Sequence, residues 1–178
     1  MKKMSKKILI LSKNRIKIDI IAKNKIKELF NMNMSINNES VYDKENNQIV
    51  GGNITDRAVL DFVKEYKVNY KLVSRELFNS TNKYMHTKIK YNVHTINLVK
   101  GAYEVVYKMS NSYYDNYGNK HLLDKKSELD DRIRSISSNK IRLLCLAINE
   151  DRETINNMTL VGFVMLKDEV RENVVEGI

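Results

Sequence analysis

Proline and tryptophan are missing from the chain altogether, and cysteine occurs once, as Cys145. A single cysteine excludes an internal disulfide framework and suits a reducing compartment. Its place inside the apolar run Ile141 to Ile148 reads as a buried structural thiol. No run approaches the roughly 18 uninterrupted apolar residues that a membrane span needs. The first ten residues are basic and then briefly apolar, but no small-residue cleavage site follows, which excludes a signal-peptide reading. There are six glycines in 178 residues and no Pro- or Gly-rich linker or internal repeat, so one domain is expected.

Against these absences stand 31 Lys and Arg and 22 Asp and Glu, a formal net charge of +9. Such a surplus suits anionic ligands or surfaces, nucleic acid included. The basic residues are dispersed, with modest concentrations at Lys2 to Lys27 and Lys83 to Lys100, so charge alone selects no partner. His86, His94 and His121 are too scattered for a metal centre, and no bound metal is expected.

Periodicity gives the elements. Ile8, Ile10, Ile16 and Ile18 alternate with polar residues and predict a strand over Lys6 to Ile18. A helix over Asp19 to Asn37 would carry Ile21, Lys25, Leu29, Met32 and Ile36 along one stripe, interrupted by Lys25. Short strands at Ser40 to Tyr42 and Gln48 to Val50 flank a polar turn. Asn53 is an N-cap candidate for a second helix, with Asp56 in its first turn. Between Lys71 and Val99 the period falls to two, as in an antiparallel hairpin or meander. A short helix follows Gly101, and a third long helix would carry Leu122, Leu129, Ile133 and Ile136. Strands over Lys140 to Ile148 and Thr159 to Leu166 come last. The whole reads as α+β, a twisted antiparallel sheet of about six strands flanked by helices.

Four collinear segments carry a resemblance. Gly52-Asn53-Ile54-Thr55-Asp56-Arg57-Ala58-Val59-Leu60 is similar to Gly-x-Pro-Thr-Glu-x-Ala-Leu-Leu. Phe78-Asn79-Ser80-Thr81-Asn82-Lys83-Tyr84-Met85 is similar to Phe-Ser-x-x-x-Lys-x-Met. Lys100-Gly101-Ala102-Tyr103-Glu104 is similar to Lys-Gly-Ala-Pro-Glu. Arg142 to Ala147, then Leu160-Val161-Gly162 and Asp168 to Arg171, follow the order Arg-x-Leu-x-x-Ala, Leu-x-Gly, Asp-Pro-x-Arg. Together these resemble the nucleotide-binding domain of P-type cation-transporting ATPases, most closely the calcium-pump-like branch. Ile54, Asp56 and Tyr103 depart from that pattern, and Tyr103 would crowd the entrance where proline usually rigidifies a turn.

The resemblance implies a site for ATP, carried as Mg-ATP, built from Asp56, Phe78, Lys83, Lys100, Gly101, Ala102 and Arg142. The chemistry agrees with it. Phe78 offers a ring for adenine. Lys83 and Lys100 offer charge to the phosphates, and Gly101 and Ala102 permit close backbone approach. Asp56 offers an acceptor to the adenine amine, and Arg142 a bidentate donor to phosphate.

The Asp-Lys-Thr-Gly-Thr nucleophile motif of the family does not occur in the sequence. Leu11-Ser12-Lys13-Asn14 resembles the segment after that motif, which would put Lys6 where the aspartate belongs, and an ammonium cannot form an acyl phosphate. Residues 1–18 are therefore expected to be a degenerate leader, 19–166 the nucleotide-binding domain, and 167–178 the beginning of a truncated phosphorylation domain. Binding without hydrolysis or transport is the expected activity, in the cytoplasm, or at the cytosolic face of the membrane if the chain is part of a complete pump. Phosphorylation and transmembrane domains are the expected partners if they exist as separate chains. A basic nucleic-acid-binding domain and a non-binding regulatory remnant are the rival readings.

Overall fold

The computed structural model describes residues 8–11, 16–17, 24–115, 117–124, 130–131, 133–135 and 141–167. Helix α1 (Asn24–Ile36) leads into a two-stranded ribbon, β3 (Ser40–Asp43) and β4 (Gln48–Gly51), and then into α2 (Ile54–Val63). Three long strands follow as a meander: β5 (Lys71–Glu76), β6 (Tyr84–Tyr91) and β7 (His94–Ala102). Helix α3 (Tyr103–Lys108) then leads to β8 (Ser110–Tyr114) and β9 (Lys120–Leu122). The closing pair is β10 (Ile141–Glu150) and β11 (Met158–Lys167). Two short N-terminal strands, β1 (Ile8–Leu11) and β2 (Ile16–Lys17), join the same sheet.

The fold is α+β, and among the described residues the main sheet has nine strands, more than the sequence suggests. Its path runs β2-β1-β11-β10-β7-β6-β5. The additions lie along β11, whose outer edge is shared by β8 at residues 158–160 and β1 at residues 163–166, both parallel to it. Parallel partners come from distant sequence and leave no turn signal between them, so periodicity does not reveal them. The central antiparallel register sets Gly101 opposite Tyr84 on one side and Cys145 on the other.

Alternation along β7 and β10 separates two cores. Ile96, Leu98, Leu146 and Ile148 face α1 and α2, while Val99, Cys145 and Ala147 face α3. The buried stripe of α1 runs through Ile26, Leu29 and Met32. Lys25 is exposed and lays its ammonium 5.5 Å from the Tyr114 ring, so the interruption expected at Lys25 disappears by a one-residue change of phase. Asn33 and Asn37 on the same inward face are fully buried. They donate to the carbonyls of Val99, Ala147 and Met85, each at 3.1 Å, which satisfies their amides inside an apolar layer.

The third long helix is only partly where the sequence reading put it. Leu122 belongs to β9 and is 74% exposed, whereas Ile133 is helical and buried. Leu129 and Ile136 lie outside the described residues, as does Ile21. A three-residue strand is too short to show a period, which is why Leu122 was absorbed into a helical pattern.

Candidate functional site

The site begins at the turn between β4 and α2. Gly52 has φ +58, and a Cβ added there would sit 2.2 Å from Ser40 Oγ and 3.1 Å from Asp56 Cβ, so this position favours glycine on both counts. Asn53 caps α2: its side-chain oxygen accepts the Asp56 N–H at 2.9 Å. The cap leaves the Asp56 carboxylate pointing inward from the first helical turn.

There it meets Lys100. The Lys100 ammonium lies 2.7 Å from Asp56 Oδ1, and both side chains are 4% exposed. The other carboxylate oxygen accepts from Asn53 Nδ2 at 3.4 Å. Burial pushes the Lys100 pKa down, and Asp56 and Glu39 act in the opposite sense. Lys100, expected to face phosphates, thus stands in an internal ion pair beneath the surface, on the α1/α2 side of β7 in phase with Leu98.

Phe78 follows β5 and is 48% exposed. Its N–H donates to Glu39 Oε1 at 3.1 Å. A compact turn then carries the chain to β6: Asn82 N–H donates to Asn79 Oδ1, Asn82 Nδ2 to Glu76 Oε1, and Lys83 N–H to the Asn79 carbonyl. Lys83 is exposed and adopts φ 59, unusual for a residue with a Cβ. Its carbonyl accepts the Ala102 N–H at 2.9 Å, which locks the turn to the end of β7.

Gly101 makes that contact possible. A Cβ at Gly101 would meet the Lys83 carbonyl at 2.6 Å and the Tyr84 Cβ at 2.6 Å. The nearest obstacle is backbone, so Gly101→Ala is expected to cost about 1–3 kcal/mol by overpacking and to displace the Lys83 turn. Chemical denaturation checks the first effect, and amide shifts at residues 79–83 the second. An unchanged midpoint would contradict it.

The structure brings together Asp56, Lys100, Gly101, Ala102 and the Lys83 backbone, and ties Phe78 to them through Glu39. Arg142 is placed by backbone only, opposite Leu166 between β10 and β11, and its side chain lies outside the described residues. Tyr103 does not crowd the entrance: its ring packs at a tilt against Tyr107 and Phe163, with centroids 5.0 and 6.0 Å apart, on the α3 face opposite Lys100. Its hydroxyl donates to the Asp130 carboxylate, and burial followed by that contact drives its pKa up.

Glu39 and Arg75 were missed by sequence reasoning. Arg75 Nη2 donates to the Ile36 carbonyl at the end of α1, and both it and Glu39 act electrostatically on Lys100. Neither residue falls in a matched segment, and the contact joining Glu39 to Phe78 spans 39 positions, so no local spacing reveals it. In the basic stretch of β6 and β7, Lys88 pairs with Glu153 at the surface and Lys100 pairs with Asp56 inside. Among the described residues, His, Cys, Asp and Glu form no group of three able to hold a metal. No helix of the described residues is long and apolar enough to cross a membrane.

A buried charge pair, a half-exposed aromatic residue and a glycine-bounded turn make up the candidate site, and comparison with known proteins gives the chain's family. The family model described as P-type ATPase, cytoplasmic domain N, matches residues 25–173, and the chain belongs to that family. It is 32% identical over 162 residues to Calcium-transporting ATPase 3, plasma membrane-type, of Oryza sativa subsp. japonica. It is 30% identical over 156 residues to Calcium-transporting ATPase 4, plasma membrane-type, of Arabidopsis thaliana. It is 27% identical over 164 residues to Calcium-transporting ATPase PAT1 of Dictyostelium discoideum. These alignments cover 79%, 79% and 82% of the chain. The chain corresponds to 15% of the length of each of these relatives.

Proposed function

We propose that this chain binds an adenine nucleotide, with the purine against Phe78 and the triphosphate running toward Lys83 and the Gly101-Ala102 backbone. Membership of the P-type ATPase domain N family supports this, since that domain generally binds ATP. The observation that carries the reading is the half-exposed Phe78, whose N–H is held by Glu39, a residue that also acts electrostatically on Lys100 of the buried Lys100–Asp56 pair. An open ring bound at its backbone is preorganised for stacking, whereas a sealed one would be core.

In this reading Lys100 and Asp56 form the floor of the site. Lys83 supplies the exposed cation, and Arg142 a further phosphate contact. Mg²⁺ arrives with the nucleotide. The chain would serve as the nucleotide-holding unit of a calcium-transporting pump at the cytosolic face, working with phosphorylation and transmembrane domains. In this reading the site residues hold the nucleotide, and phosphoryl transfer, which needs a carboxylate nucleophile, falls to the phosphorylation domain.

Displacement of a fluorescent ATP analogue tests the proposal. ATP, ADP and adenosine are all expected to compete, within about tenfold of one another if stacking dominates. Competition by inorganic triphosphate alone, with none by adenosine, would contradict the purine stack.

A further inference from the structure

Asp56 matches the family position whose carboxylate the resemblance assigns to the adenine amine, yet its geometry here does not suit that task. Both of its oxygens are engaged, one by Lys100 at 2.7 Å and the other by Asn53 at 3.4 Å, and the residue is 3% exposed. It is also one methylene shorter than the glutamate of the family pattern. An acceptor buried to this degree under an ion pair is poorly presented to a base stacked on an exposed ring.

Glu39 is placed to do so. It is partly exposed, and Oε1 holds the Phe78 N–H at 3.1 Å, so its carboxylate sits at the backbone that carries the stacking ring. Its second oxygen takes no hydrogen bond from the described residues. Both neighbours are pinned: Asn38 Nδ2 donates to the Asp56 carbonyl at 3.0 Å, and Ser40 N–H donates to Asn38 Oδ1 at 2.8 Å. Ser40 Oγ also donates to the Gly51 carbonyl at 3.2 Å. Residue 39 is therefore held on a short rigid bridge between α1 and the α2 N-terminus. A carboxylate fixed in this way is an acceptor-only group, and accepts readily from an amine.

We propose that Glu39, and not Asp56, accepts the hydrogen bond of the purine's exocyclic amine and so sets the preference for adenine. This rests on the nucleotide-binding reading above. Adenine presents an amine at its 6-position and hypoxanthine a carbonyl oxygen. A carboxylate attracts the first and repels the second, so specificity comes from both terms.

Glu39→Gln separates reading from positioning. The amide oxygen of glutamine can keep the Phe78 N–H, which leaves the amide NH₂ toward the base. That donor repels an amine and favours a carbonyl. Wild-type protein is expected to prefer ATP to ITP by about tenfold, the worth of one hydrogen bond to a charged group. Glu39→Gln is expected to abolish or invert that ratio, and Glu39→Ala to bring it near one. Competition assays give the ratios, and thermal melts with the Phe78 amide shift show that fold and ring are retained. If both variants bind ATP and ITP more weakly but keep the wild-type ratio, Glu39 only positions Phe78 and the inference is overturned. It is likewise overturned if Asp56→Asn alone removes the preference. Wild-type protein that binds neither nucleotide would overturn the nucleotide reading itself.

Discussion

Lys100→Met is expected to destabilise the domain by about 3–5 kcal/mol, the usual cost of leaving one member of a buried ion pair without its partner. Asp56 and Lys100 lie 2.7 Å apart at 4% exposure, so water cannot replace the missing ammonium without opening α2 from the sheet. That cost is a large part of the roughly 5–15 kcal/mol that holds a typical domain together. The double variant Asp56→Asn, Lys100→Met removes both charges and is expected to recover much of the loss. Urea or guanidinium titration of the four proteins gives the coupling energy, expected to exceed about 2 kcal/mol for groups in direct contact. Strictly additive losses would contradict an internal pair. The same experiment has a bearing on function, because a lysine of this kind shapes the site from below and its replacement alters both stability and ligand affinity.

Phe78→Ala should separate those two effects. The residue is 48% exposed and belongs to neither hydrophobic core, so the melting temperature is expected to change little. Truncation removes the stacking surface, and base–aromatic stacking is worth about 1–3 kcal/mol per base, or roughly 5- to 150-fold in affinity. ATP, ADP and adenosine are expected to weaken in parallel, since the lost contact concerns the base they share. Isothermal titration of the three ligands checks this. Unchanged affinity for all three, with the fold intact, would remove Phe78 from the site. A selective loss of ATP alone would move the contact from the purine to the phosphates.

The contrast between these two residues also explains what the sequence could disclose. The Gly52-Asn53-Asp56 helix start was legible because capping is local: a side chain three positions away meets the N–H it caps. The β5–β6–β7 meander was legible from its period of two and its short turns. Motif order pointed to Asp56, Phe78, Lys83 and Lys100 as one set, but not to their pairing. A lysine near the end of a strand gives no sign that its ammonium is buried; that follows from its pairing with Asp56, 44 residues away in the sequence. Glu39 had no signal for the same reason. Tyr103 was misplaced because its side of the sheet depends on the alternation set by Val99 and Gly101, with α3 beginning directly afterwards. The parallel additions of β1 and β8 to β11 are tertiary pairings without a local mark.

Amide chemical-shift mapping during an ATP titration tests the central claim most directly. Saturable shifts are expected at Glu39, Phe78, Lys83, Gly101 and Ala102, with smaller ones at Asp56 and Lys100 beneath them. Shifts centred on Tyr103, Tyr107 and Cys145, on the opposite face of the sheet, would contradict the site. No saturable shift at any concentration of ATP would contradict nucleotide binding by this chain.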